Sequence, residues 1–135
     1  MSSKINIRKI ELKDYEFINK WWVKQGFKIP NKDILPNEGF GGVIIEKEKP
    51  IAAAYLYLTN SKTGYIDNLI SNPDYKSKDR FDIIQQLIDA LVNSGINSGC
   101  KIVWATSAID GVINKCRGLG YEISKEKHSI IYKKQ

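Results

Sequence analysis

The sequence predicts an α/β fold, a mixed and mostly antiparallel central sheet with helices on both faces. Three observations carry that prediction. Apolar runs at 43–46, 51–58 and 65–71 are separated only by turn-rich segments at 47–50 and 60–64, so these strands should pair antiparallel. Ile83, Ile84, Leu87, Ile88, Leu91 and Val92 recur at three- and four-residue spacing, the pattern of an amphipathic helix. A strand-like run at 101–106 follows that helix, and a strand–helix–strand unit predicts a right-handed parallel crossover.

The remaining elements fall into order around this core. Ile5, Ile7 and Ile10, with Asn6 and Arg8 between them, predict a half-buried first strand. Asp14 stands where a helix N-cap or first-turn acid belongs, and Phe17, Ile18, Trp21 and Trp22 follow at helical spacing up to Gly26. Trp21 and Trp22 point about 100° apart on a helix, so one should enter the core and the other is available to a cleft. Residues 27–42 carry Pro30, Pro36, Gly39, Gly41 and Gly42 and predict a long loop, with one helical turn near 31–35. Loops of this length in compact domains are more often functional than idle. The long helix should end near Gly95. A shorter helix, marked by Val112, Ile113, Cys116 and Leu119, closes at Gly118 and Gly120. Residues 121–124 and 129–132 predict a closing strand or strand pair. Trp104 reads as core, and Tyr55, Tyr57 and Tyr65 put aromatic hydroxyls on one face of the hairpin.

The bulk properties bound the function. The chain has 135 residues, is 42% hydrophobic and 27% charged, and shows no repeat or linker, so a single domain over 1–135 with a real core is expected. No apolar run reaches the roughly 20 residues that span a bilayer, and no secretory h-region follows the N-terminus. Cys100 and Cys116 lack metal-ligand spacing and do not suggest a disulfide framework, which makes a reducing cytoplasm the expected compartment and leaves no metal site. The net charge of +6 is scattered, without a recognition helix or aromatic RNA-binding motif. It therefore points to a solubilising coat or to attraction of an anionic cofactor more than to nucleic acid.

Three strings give the chain a family resemblance. The segment YIDNLISNPDY, Tyr65 to Tyr75, resembles the fourth strand and the start of the cofactor loop of the GNAT N-acetyltransferase superfamily, and the helix at 79–92 follows it as in that family. CRGLGYEI, Cys116 to Ile123, resembles the ending of the family's last helix. The paired tryptophans, the proline–glycine loop and the SNP step also resemble short GNAT-like proteins of tailed bacteriophages, which would place the protein in a host cytoplasm.

The resemblance implies a chemistry. A CoA-dependent enzyme would move an acetyl group from acetyl-CoA to a primary amine of a small molecule or protein. Backbone groups of Leu69, Ile70 and Ser71 would hold the pantetheine arm, and the loop and helix start at Lys76, Ser77, Lys78, Asp79 and Arg80 would hold the pyrophosphate. The family's loop pattern is Arg or Gln, two variable residues, Gly, one variable residue, then Gly or Ala. Here Asp79 and Phe81 replace both small residues, while Lys76, Lys78 and Arg80 flank the turn and Ser77 is placed to cap the helix. Asp67 matches the strand acid that acts as general base, although an edge acid paired with a lysine would look the same. Cys116 stands where many members carry the tyrosine that protonates the departing thiolate, although its apolar spacing also fits a small core residue. The lone histidine, His128, reads as a strand-surface residue. The lost glycines and tyrosine leave an alternative, a GNAT-like module without catalysis that binds a partner or associates with a virion. An exposed last strand would allow a homodimer.

Overall fold

In a computed structural model the described residues are 4–106, 110–118, 120–124, 131, 133 and 134. Strand β1 (Asn6–Lys9) leads through a single 3-10 turn, Leu12–Asp14, into helix α1 (Tyr15–Lys24). Two more 3-10 turns, Lys32–Ile34 and Pro36–Gly39, occupy the long loop. Strands β2 (Gly42–Lys47), β3 (Lys49–Leu58) and β4 (Thr63–Ser71) follow as a meander. Helix α2 (Arg80–Asn97), strand β5 (Ile102–Ala105) and helix α3 (Asp110–Gly118) come next and are the last elements among the described residues. The sheet runs β1-β2-β3-β4-β5, antiparallel throughout except for the parallel β4–β5 pair.

Alternation along the strands sends side chains to two separate cores. Ile45, Ala52, Ala54 and Ile66 pack on Ile83, Ile84, Leu87, Ile88 and Leu91 of α2. Ile44, Ala53, Tyr55 and Ile70 pack on the other face, against Tyr15, Ile18 and Trp21 of α1. The expected mixed sheet with helices on both faces is therefore present. The run Ala52–Ala54 is fully buried, and its small side chains let a helix approach the sheet from either side. Leu87 is also fully buried, which contributes about 1.5–3 kcal/mol relative to exposure.

Three local expectations change. Asp14 does sit at the N-cap of α1, but its side chain makes no cap bond there. Its carboxylate instead accepts both ends of the Arg8 guanidinium at 2.7 and 2.9 Å, and the Glu11 N–H at 2.7 Å. A two-toothed charged donor outweighs a single backbone N–H. Gly95 does not stop α2, which continues to Asn97. A Cβ at Gly95 would lie 2.6 Å from Val103 Cγ2, so this glycine permits close approach of helix to strand. The turn out of the helix comes at Gly99, whose φ of +104° only glycine adopts freely. Finally, Tyr121 to Ser124 form no strand, while 125–130 and 132, where the rest of the closing pair and His128 fall, lie outside the described residues.

The long loop is more ordered than its glycines and prolines suggest. Asn31 caps the first turn by accepting the Asp33 N–H at 2.9 Å, and buried Leu35 anchors the second. The Tyr15 hydroxyl donates to the Gly39 carbonyl, and the Lys32 ammonium lies 4.5 Å above the Tyr15 ring. The loop is thereby tied to α1 rather than left to solvent.

Candidate active site

The site is built where β4 loses regularity. Ala53 pairs with Ile70 and Tyr55 with Asp67, so the single residue Ala54 faces two residues, Asn68 and Leu69. That is a β-bulge. Asn68 takes the left-handed conformation at φ +54°, which asparagine tolerates better than most residues. On the other edge, β4 pairs with β5 only from Thr63↔Ile102 to Ile66↔Ala105. From Asp67 onward the backbone of β4 has no strand partner on that side among the described residues. The described parallel pairing thus ends one residue before Asp67, and the bulge follows directly.

Asp67 is exposed and lies on the α1 face, the face of its partner Tyr55. It takes part in none of the described ion pairs, so the lysine-paired edge acid is not what the described residues show. Its neighbours are hydroxyls. Burial pushes the Tyr65 hydroxyl upward, a hydrogen bond with Thr106 opposes that push, and the Asp67 charge adds to it. Asn68 donates to the Tyr57 hydroxyl at 2.6 Å, and burial raises Tyr57 as well. Tyr55 lies deeper and donates to Tyr15 at 2.7 Å, since the Tyr15 proton is committed to Gly39. Burial and that bond together push Tyr55 far above its ordinary range.

The three backbone candidates divide by direction. The Leu69 side chain packs towards the α2 core and Ile70 enters the α1 core. Ser71 is buried, and its carbonyl accepts from Gln25 Nε2 at 2.7 Å. Its hydroxyl accepts from Arg80 Nη2 at 2.6 Å, which ties the end of β4 to the first residue of α2. Arg80 Nε is buried without a partner among the described residues. Such an atom is the sort of donor that a bound anion or an ordered water would satisfy.

The turn before α2 explains what Asp79 does. Its carboxylate accepts from the Tyr75 hydroxyl at 2.7 Å and pairs with Lys47 Nζ at 3.0 Å. Tyr75, then Ser77, then Lys47 hold it down to about 2. The negative charge that replaces a small residue in this turn is therefore engaged by β2 and by its own turn. Lys76, Ser77 and Lys78 are exposed, and the helix start carries no side-chain cap, so the expected Ser77 cap is absent. Lys24 pairs with Asp74 at 2.6 Å, which fastens the loop to α1.

Cys116 lies apart from this group. Its thiol donates to Gln85 Oε1 of α2 at 3.4 Å, and burial pushes its pKa up despite that contact. Gln85 in turn donates to Asp89 at 3.0 Å, and the Tyr121 hydroxyl donates to the same carboxylate. The string CRGLGY thus closes α3 onto α2. The structure brings Asp67 together with the bulge, and Ser71 with Arg80 and Asp79, but it does not bring Cys116 to Asp67.

Sequence reasoning missed Asn68, Lys47, Gln25 and the exposure of Trp104. Asparagine in mid-strand, where it is disfavoured, was the available signal for the bulge. Trp104, expected in the core, is 49% exposed and stacks on Tyr65 with ring centroids 4.3 Å apart. Trp21 is the core member of its pair, and Trp22 packs edge-on against Phe27 at the start of the long loop.

No family model and no curated protein matches the sequence. Solved structures do match in shape. The aminoglycoside N-acetyltransferase AAC(6')-Iy, bound to the bisubstrate analogue CoA-S-monomethyl-acetylneamine, gives a TM-score of 0.63 at 18% identity, covering 98% of this chain and 99% of its own. A predicted acetyltransferase of Clostridium acetobutylicum, solved with acetyl-CoA, gives 0.60 at 17% identity over 95% and 96%. Glucosamine-6-phosphate N-acetyltransferase of Arabidopsis thaliana gives 0.64 at 14% identity over 96% and 99%. Identities this low carry architecture and not residue roles. With its bulged fourth strand followed by a long helix, the chain has the fold of the GNAT N-acetyltransferases.

Proposed function

We propose that the protein is a CoA-dependent N-acetyltransferase that moves an acetyl group from acetyl-CoA to a primary amine. The observation that carries this reading is the coincidence at one point of β4 of the bulge, the loss of β5 pairing and an exposed acid, Asp67. An ammonium is not nucleophilic, so a group must first take its proton. Asp67 is placed for that work, and Asp67-bound protons pass to solvent. Backbone groups of Leu69, Ile70 and Ser71, left without a described strand partner on the β5 side, would hold the pantetheine arm. Lys76, Ser77, Lys78, Arg80 and the uncapped start of α2 would hold the pyrophosphate, where helix N–H groups favour an anion. The unpartnered Arg80 Nε fits an anionic guest at this place. Asp79 would act indirectly, by shaping the turn through Tyr75 and Lys47. Acetyl-CoA supplies the acetyl group as a thioester, whose carbon–sulfur bond breaks as the amide forms. Nitrogen loses a second proton in forming the amide, and that proton balances the departing thiolate. Cys116 keeps its proton, as a donor must, but it faces Gln85, so this reading gives it a packing role.

Titration calorimetry with acetyl-CoA, together with thiol release in the presence of amines, tests the reading. Saturable binding and amine-dependent thiol release are expected. No heat with acetyl-CoA or CoA would end it. That result would favour the second reading, a fold without catalysis that serves as a binding or virion-associated module, which rests on Asp79 and Phe81 in the loop. Both described cysteines are free thiols and no described helix is long and apolar enough to cross a membrane, in keeping with a cytoplasmic setting. Sedimentation would show whether the chain pairs as a homodimer.

A further inference from the structure

We propose that the acceptor is a cationic amine carried on an apolar body, which lies across the aromatic row Tyr57–Tyr65–Trp104 with its ammonium at Asp67. This inference rests on the acetyl-transfer reading for the fate of the amine, but its own basis is separate. The three rings come from three adjacent strands, β3, β4 and β5, at one level of the sheet. Tyr57 pairs with Tyr65 and Tyr65 with Trp104, with ring centroids 5.9 and 4.3 Å apart. A row on one face of a sheet normally packs under a helix. Here Tyr55 is buried in the α1 core and Tyr57 is partly buried against it, while Trp104 remains 49% exposed.

One level further along the same face stands Asp67, paired across the strands with Tyr55. Among the described residues, the paired positions of the row and its neighbouring level therefore contain aromatic rings, one carboxylate and the Asn68 amide, and no cationic side chain. A chain with a net charge of +6 thus presents a local patch of the opposite character. Ring faces attract an ammonium through their quadrupole, and a carboxylate beside them sets its position. The same patch disfavours an amine that carries its own carboxylate or phosphate, because nothing in these two levels would neutralise it. The Tyr57 oxygen is occupied by the Asn68 amide, which fixes the ring at the inner end of the row. Specificity would therefore be set largely by Tyr65 and Trp104, and Trp104 lies outside the proposed proton transfer.

Calorimetry on the full chain with three probes of one carbon skeleton tests this. The probes are 2-phenylethylamine, its N-acetyl derivative and 3-phenylpropionate. The amine should bind roughly tenfold or more tightly than the neutral and anionic probes. Trp104→Leu keeps apolar bulk without a π face and should lose most of that preference, whereas Trp104→Phe should keep it. The indole N–H signal of Trp104 in the wild-type protein, identified by its absence from Trp104→Phe, should shift with the amine alone. This signal decides the matter if Trp104→Leu fails to fold. Equal or tighter binding of the carboxylate, no amine binding, or an unmoved indole signal would overturn the proposal. Acetyl-CoA titrated in parallel separates the two ideas. Amine preference without acetyl-CoA binding removes the transfer reading alone, and acetyl-CoA binding without amine preference removes this one alone.

Discussion

The two faces of the sheet are made of different chemistry. The α2 face is aliphatic throughout its buried centre, with isoleucine, leucine and alanine only. The α1 face holds Tyr15, Trp21 and Tyr55 at its centre, with Phe17, Trp22 and Tyr57 at its margin. Aliphatic packing needs no hydrogen bonds and seals completely. Aromatic residues with hydroxyls bury area while keeping a polar end that must find a partner. On the α1 face those partners form a chain from Gly39 through Tyr15 to Tyr55, and a second pair links Asn68 to Tyr57. One face holds the molecule together, while the other both holds it and shapes the opening beside Asp67.

Substitutions can break that contrast. Asp67→Asn should lower kcat/KM by about 10²–10⁴-fold, the scale of a lost general base. The unfolding free energy from urea denaturation should change by no more than about 0.5 kcal/mol, because Asp67 is exposed. Leu87→Ala on the opposite face should do the reverse, costing about 2–5 kcal/mol of stability while turnover per folded molecule stays unchanged. Asp14→Ala should destabilise by about 2 kcal/mol in chemical denaturation, since Arg8 loses its two-toothed partner but keeps Glu46. Tyr55→Phe sharpens the comparison, because it removes one hydroxyl from the α1 face and keeps the ring. About 1 kcal/mol of stability should be lost. The smallest effect belongs to Asp79. Its folded pKa of about 2 lies below the ordinary 3.8, so its stabilisation is complete above the ordinary value and lost as pH falls through the folded one. Urea midpoints followed between about pH 4 and 2 should fall less steeply in Asp79→Asn than in the wild type.

What could be seen in the sequence was local and periodic. The spacing of Ile83 to Val92 defined the buried face of α2, and the turn residues between apolar runs defined the meander. Asp14 stood out as an acid at a helix start, yet its partner Arg8 was invisible, because the pairing depends on where β1 delivers a guanidinium. The same holds for Lys47 and Asp79, which lie on separate elements and meet only after the sheet forms. Gly95 looked like a stop because glycine often is one, and only the distance to Val103 shows its other use. Trp104 looked like core because tryptophan in a central strand usually is. Ile102 on the same strand is exposed too, so burial on β5 depends on what covers the strand, which no property of residue 104 announces.

The bulge at Asn68 also changes the parity of β4. Up to Asp67 the strand counts in twos, with odd positions towards α1 and Ile66 towards α2. Beyond it the count is reversed, so Leu69 faces α2 and Ile70 faces α1. A single inserted residue thus lets one strand obey two phase rules, one for the half locked between neighbours and one for the half left open. Deleting Asn68 would not merely shorten the strand. It would restore one alternation from Thr63 to Ser71, keeping Leu69, Ile70 and Ser71 opposite Ala54, Ala53 and Ala52, and so would erase the bulge beside Asp67 while leaving both cores their side chains.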